Sequence, residues 1–256
     1  MTSELSVTVD QWVATVEIQR PPNNFFDGPL IDSLAQTYEQ LDDDPACRVI
    51  VLCSEGKHFC AGADFASKRE APALQKEKTR ALYRNAVRLF RTSKPIVAAV
   101  QGAAVGGGLG LALSADFRVA CADSRFCANF SRLGFHQGFG LSVTLPRLIG
   151  HSRADLMLYT GRRVKGDEAA AIGLADDLVA TDEVRVRCRD LAAEIAASAP
   201  LAVQSIRKTR RAGLADEVAA MTEHELAEQT WLQGTDDFRE GIRAMSERRL
   251  PDFHGR

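Results

Sequence analysis

The chain has 256 residues, a formal net charge of −2 and 45% hydrophobic residues, with a pI near 6.2. These values fit one large domain, or a core with a small appendage, and give no support to nucleic-acid binding. No run approaches the ~18 apolar residues of a membrane span, and no basic stretch followed by an apolar one opens the chain, so a cytoplasmic protein without membrane contact or export signal is expected.

Six cysteines, Cys47, Cys53, Cys60, Cys121, Cys127 and Cys188, are scattered with no Cys-x-x-Cys pair. Reduced, mostly buried thiols are expected, not a zinc site or a disulfide framework. Residues 5–9 and 13–19 alternate apolar and polar around Asp10, Gln11 and Trp12, which predicts an antiparallel hairpin. Residues 20–24 (Arg-Pro-Pro-Asn-Asn) form a loop, and Phe25 and Phe26 follow as core anchors or, alternatively, a ligand wall. Leu30, Ile31, Leu34, Tyr38 and Leu41 share a helical face that ends before Pro45. Residues 49–53 read as a buried strand, and a glycine-containing turn runs from Ser54 to Asp64.

Residues 67–77 are charged, contain Pro72 and read as a mobile surface loop. Leu82, Val87, Leu89 and Phe90 predict a helix. Residues 96–100 are a second buried strand that passes through Gly102 and the triplet Gly106, Gly107 and Gly108 into a small, apolar helix over 109–115. Strand, tight turn and helix in this order can present unpaired N–H groups at a helix start, where an anion or a developing oxyanion would be held. Residues 117–120 predict a further strand. Short helices are expected over 140–149, 153–159 and 167–172. From Asp182 the pattern is helical, broken at Pro200 and Gly213. Strand–helix alternation implies an α/β core with parallel strands. Leu201, Val203, Ile206, Leu214, Val218, Met221, Leu226 and Trp231 of the last quarter could pack on that core or on another subunit.

Residues 59–64 (Phe-Cys-Ala-Gly-Ala-Asp) and the run from Lys94 through Gly102 and Gly106-Gly107-Gly108 to Asp116, in this order and spacing, closely resemble the crotonase (enoyl-CoA hydratase/isomerase) family. The Arg20–Phe25 loop, residues 145–150 (Leu-Pro-Arg-Leu-Ile-Gly), 159–162, 170–174 and 240–253 extend the resemblance over nearly the whole chain. It implies a crotonase-like spiral of ββα units with two roughly perpendicular sheets over residues 1–198. A C-terminal helical region over 199–256 would serve oligomerisation and cover the pocket, giving a homotrimer or a hexamer built as a dimer of trimers. It also implies a coenzyme A thioester as substrate or ligand, with no other cofactor, and enolate stabilisation by two backbone N–H groups, which fall on Ala63 and Gly107. By the same resemblance Asn24, Phe25, Phe26, Ala61, Asp64, Phe65 and Gly106 would line the ligand path, with Lys68 and Arg69 as phosphate contacts. Arg248, Arg249 and Arg256 are further candidates.

The sequence departs from the family where its hydratases carry two glutamates, since those positions fall on Gly110 and Phe130. The aspartate used by some relatives falls near Gly138. None of these side chains transfers a proton, so ordinary hydration is not expected. Gly110 and Phe130 would instead shape a pocket for a bulky acyl group. His136, with Gln137, is the candidate replacement base, against the alternative of a hydrogen-bonded structural histidine. Asp116 is expected to make structural contacts and His58 to lie at the surface. Nothing resembles a metal site. Two functions follow: an enzyme acting on an acyl-CoA, or an acyl-CoA-binding protein without efficient chemistry. A purely structural role through the helical tail is the third and weakest reading.

Overall fold

The computed structural model describes residues 4–64 and 71–256. Phe65, Lys68 and Arg69 lie outside the described residues.

Six strands form the main sheet: β1 (Leu5–Asp10), β2 (Val13–Ile18), β3 (Val49–Ser54), β4 (Ile96–Val100), β6 (Phe117–Cys121) and β9 (Asp177–Val179), hydrogen-bonded in that order. The β1–β2 hairpin is antiparallel and every later pairing in this sheet is parallel. A second sheet joins β5 (Ala103–Val105), β7 (Arg125–Cys127) and β8 (Arg163–Lys165). Every residue of β3 and β4 is buried, as expected of parallel strands covered on both faces.

The two faces can be assigned from strand alternation. Val49, Val51, Val97 and Val119 meet Val184, Cys188, Ala192 and Ala196, a stripe at every fourth position of α7 (Val184–Ala196). Ile50, Leu52, Ala98 and Val100 face the other way. They meet the apolar stripe of α1 (Gly28–Asp43) and the small residues of α3 (Gly107–Ser114). The Asp27 carboxylate caps α1 by accepting from the Leu30 N–H at 2.9 Å.

The opening stretch is more elaborate than one strand, turn and helix. Between β4 and α3 lies the short strand β5, so Gly102 and the glycine triplet serve two separate turns. The charged stretch also differs from expectation. Helix α2 (Pro72–Arg91) already begins at Pro72, because a proline in the first turn gives up an N–H that no helical carbonyl would accept. Strands β7, β8 and β9 were not predicted, and each has three residues.

The chain continues through α4 (Leu141–Ile149), α5 (His151–Thr160) and α6 (Gly166–Ala171), and after α7 through α8 (Pro200–Arg210), α9 (Leu214–Leu232) and α10 (Asp236–Ser246). Leu214 and Val218 of α9 pack with Val87 and Phe90 of α2 and Val143 of α4. Leu201 and Ile206 of α8 and Trp231 of α9 remain exposed. Helix α8 is tied down by charge: Asp116 accepts from Arg207 Nε and from an Arg211 guanidinium nitrogen, each at 2.8 Å, and also from the Ile96 N–H at 2.8 Å. Asp116 is therefore structural, as expected. Among the described residues no helix is long and apolar enough to cross a membrane.

Candidate active site

The two glycine turns are joined by backbone hydrogen bonds. Cys60 N–H donates to the Ala103 carbonyl at 2.9 Å, and Val105 N–H donates to the Cys60 carbonyl at 3.0 Å. The Phe25–Phe26 loop joins the same assembly, with Ala61 N–H donating to Asn23 at 2.9 Å and Phe26 N–H to Gly62 at 3.1 Å. Gly106, at φ 56°, turns the chain into α3, a conformation open to glycine at little cost. The helix packs so closely on the first turn that a Cβ on Gly108 would sit 2.2 Å from the Cys60 carbonyl oxygen.

Ala63 and Gly107 therefore end up on two neighbouring turns that border one cavity of about 1660 Å³. Neither N–H donates to another group among the described residues. For Gly107 this follows from its place at the start of α3, where helical bonding first begins at Leu109 and Gly110. The Phe26 ring lies directly over Gly107, with its tip 2.3 Å from where a Cβ would be. Two N–H groups without a partner beside one cavity leave two donors available to a ligand there.

Phe25, Phe26, Ala61, Asp64, Gly106 and Phe130 also border this cavity. Asn24 does not line it. Its side chain is fully buried and donates to the carbonyls of Glu55 at 2.8 Å and His58 at 2.6 Å, clamping the Phe25–Phe26 loop to the turn after β3. His58, expected at the surface, is half-buried, and its Nδ1 accepts from the Ala103 N–H at 3.3 Å. Burial, with Arg125 and Lys57 nearby, holds its pKa below the usual histidine value.

Gly110 leaves no room for a bulky acyl group. A Cβ there would lie 2.7 Å from Phe139 Cβ and 2.8 Å from its Cδ1, so the Phe139 side chain fills the space. Phe139 in turn meets Phe26 edge to face at 5.7 Å between ring centres. Phe139 has φ 62°, a conformation uncommon for a bulky residue. The turn is fixed by Glu225 of α9, whose carboxylate accepts from the N–H groups of Gly140 at 2.8 Å and Ser142 at 3.1 Å, and from the Ser142 hydroxyl at 2.7 Å. Burial raises the Glu225 pKa, and these donors offset part of the rise.

His136 and Gln137 do not border the cavity. The His136 Nδ1 faces its neighbour's carbonyl at 2.9 Å, and its ring meets His224 edge to face at 5.9 Å. Gln137 donates to the Ser142 hydroxyl at 3.0 Å. Both side chains serve the 136–142 turn. That placement corresponds to the structural alternative for His136.

The cavity is also bordered by polar side chains that the sequence did not single out, Gln75, Thr79, Asn85 and Gln233 among them. Tyr83 of α2 and Gln229 of α9 both border it and are both buried. Tyr83 sits on the same face of its helix as Gln75, Thr79 and Leu82, a spacing that in the sequence is indistinguishable from a core stripe. Burial, reinforced by the Glu225 charge, raises the Tyr83 pKa well above the ordinary tyrosine value, so the phenol stays neutral. Charged side chains also border the cavity. Among them Arg20 pairs with Glu4 and, at 3.0 Å, with Asp27.

A sequence profile described as Enoyl-CoA hydratase/isomerase matches residues 8–256. A carnitinyl-CoA dehydratase of Proteus mirabilis (strain HI4320) is 30% identical, with all of both chains covered. A crotonyl-CoA hydratase of Syntrophomonas wolfei is 31% identical over 95% of each. Among solved structures, an enoyl-CoA hydratase/isomerase from Pseudoalteromonas atlantica T6c superposes with a TM-score of 0.86 at 27% identity, covering 98% of this chain and 100% of that one.

Proposed function

The chain belongs to the enoyl-CoA hydratase/isomerase family, and from that premise we propose that it processes an acyl-CoA thioester through an oxyanion hole formed by the N–H groups of Ala63 and Gly107. One observation carries this reading: two N–H groups from turns bonded to each other border one cavity, and neither has an acceptor among the described residues. As an enolate forms, negative charge gathers on the thioester oxygen. Donors already in place need no reorganisation to meet it, and losing one such donor typically costs ~3–4 kcal/mol. The thioester oxygen would sit at these N–H groups, with the acyl chain along the wall of Phe26, Phe130 and Phe139 and the coenzyme A portion leaving past Phe25 and Asp64. Lys68 and Arg69 remain proposed phosphate contacts. Water addition by two carboxylates does not fit this wall, because Phe139 fills the space over Gly110 and Phe130 is apolar.

The aromatic wall also favours a second reading, in which the protein binds an acyl-CoA without efficient turnover. A panel of short, branched and aromatic acyl-CoA thioesters, tested for binding by calorimetry and for turnover by mass spectrometry, separates the two. Turnover of any member supports the enzyme, binding without turnover supports the second reading, and no binding across the panel refutes both. A homotrimer, or a dimer of trimers, is proposed on the exposed Leu201, Ile206 and Trp231 of the C-terminal helices, and sedimentation would test it. A cytoplasmic location is proposed from the six free, buried cysteines.

A further inference from the structure

The main sheet ends on β1, and the strand carries none of the features that usually close a sheet edge. It pairs with β2 residue for residue from Leu5 to Asp10, without a bulge, and it contains no lysine and no proline. Natural edge strands are commonly blunted by such devices, because a row of backbone donors and acceptors otherwise templates another strand. The open edge of β1 also carries apolar side chains. Val7 and Val9 are 43% and 40% exposed, although their partners in β2, Val16 and Ala14, are fully buried.

The hairpin decides which backbone groups face outward. Gln19 N–H donates to the Glu4 carbonyl at 2.8 Å, in the register that continues from Leu5 opposite Ile18. Hydrogen-bonded and non-hydrogen-bonded pairs alternate along an antiparallel ladder. Ser6, Thr8 and Asp10 therefore direct their backbone groups to β2, and the N–H and C=O groups of Val7 and Val9 point to the open side.

We propose that this edge is an interface between two copies of the chain, joined by antiparallel β1–β1 pairing about a two-fold axis at Thr8. The side chains select that register. An axis at Val7 would set Glu4 opposite Asp10 of the second copy, and like charges directly opposite are destabilising. An axis at Thr8 sets Val7 opposite Val9, Thr8 opposite Thr8 and Ser6 opposite Asp10, so apolar groups meet apolar groups and a hydroxyl meets a carboxylate. The same axis makes Val7 and Val9 the hydrogen-bonded partners, as their outward backbone groups require. A second copy supplies this complementary order by symmetry. The interface uses none of the α8 and α9 residues proposed for a trimer, so it doubles whichever unit those helices form.

The test uses the full chain. In sedimentation equilibrium the wild type should have twice the mass of a Val7→Lys, Val9→Lys variant at equal concentration, because both positions are exposed and lysines on an edge repel a second copy. Circular dichroism checks that the variant folds. Thr8→Cys gives a second measurement that serves if the lysine variant does not fold. Across a non-hydrogen-bonded pair the Cα atoms stand about 4.5 Å apart, within disulfide range. Oxidised glutathione should therefore link Thr8→Cys into a covalent dimer, while the wild type, whose cysteines are all buried, stays unlinked. A wild type with the mass of the folded lysine variant overturns the inference and leaves the edge to another partner or to none. A Thr8→Cys chain that stays unlinked overturns it as well, since position 8 would then not lie on the axis.

Discussion

Replacing Gly110 by alanine sets two known effects against each other. Gly110 lies inside α3, where alanine is favoured over glycine by about 1 kcal/mol. Opposing this, the new Cβ would meet Phe139 Cβ, Cδ1 and Cγ at 2.7, 2.8 and 2.9 Å. These atoms are at the base of the side chain, so a small ring rotation cannot clear them. The Phe139 backbone in turn is held by Glu225 through Gly140 and Ser142. Overpacking of this kind costs about 1–3 kcal/mol, and a site this firmly anchored should fall near the upper end. Gly110→Ala should therefore destabilise by about 1–2 kcal/mol net, lowering the thermal midpoint by roughly 2–6 °C in a chain of this size. In a Phe139→Gly background, which removes the Cβ together with the ring, the clash disappears, and the same Gly110→Ala change should stabilise by about 1 kcal/mol. Thermal unfolding of the four proteins in this cycle reads the sign directly. If Gly110→Ala raised the midpoint in the wild-type background, Phe139 would not be the constraint inferred here.

Gly107→Ala should leave the fold nearly intact, because the new methyl meets only the tip of the Phe26 ring. Because alanine keeps the backbone N–H, the donor itself is tested by Gly107→Pro at this first helical position, which should lower kcat/KM for whichever thioester is turned over by about 10²–10³-fold; unchanged kinetics would remove the Gly107 N–H from the site. Asp116→Ala strands two arginines that are 8% and 14% exposed in their side chains, and urea denaturation should show a loss of about 3–5 kcal/mol. For Glu225 the folded pKa lies above the unfolded value, so the folded state holds its proton more tightly. The contribution to stability is full below the unfolded pKa of about 4.3 and is lost as pH rises through the raised folded value. Glu225→Gln should accordingly flatten the fall in thermal midpoint on that alkaline side; an identical slope in both proteins would show that Glu225 does not titrate as inferred.

The parts of the site that were legible in the sequence are those specified locally. Two glycine turns at strand ends predicted where Ala63 and Gly107 would lie, because backbone conformation at a turn depends on the residues in it. Strands β3 and β4 were legible as continuous apolar runs. Strands β7, β8 and β9 were not, since three residues carry no alternation to read, and their pairing is set by partners far along the chain. Asn24 and His136 show a different limit. Both residue types suit a ligand site, and both side chains turn instead to nearby backbone carbonyls. No spacing rule distinguishes those outcomes.

Gly110 and Gly138 carry the same lesson into function. At each position the sequence lacks a side chain that would reach the pocket, which reads as open space. In the fold, Phe139 covers Gly110, while the Tyr83 oxygen and the Gln229 amide occupy the place of a side chain at Gly138. The two positions are coupled through α9, because Glu225 fixes the turn carrying Phe139 and Gln229, one helical turn later, holds Tyr83 and the start of that turn. A carboxylate introduced at position 110 would enter a buried contact with Phe139, a costly position for a charge. The aromatic wall, the phenol–amide pair and the Glu225 anchor thus form one packing unit, and its chemistry has to be understood from what those groups present to the acyl chain.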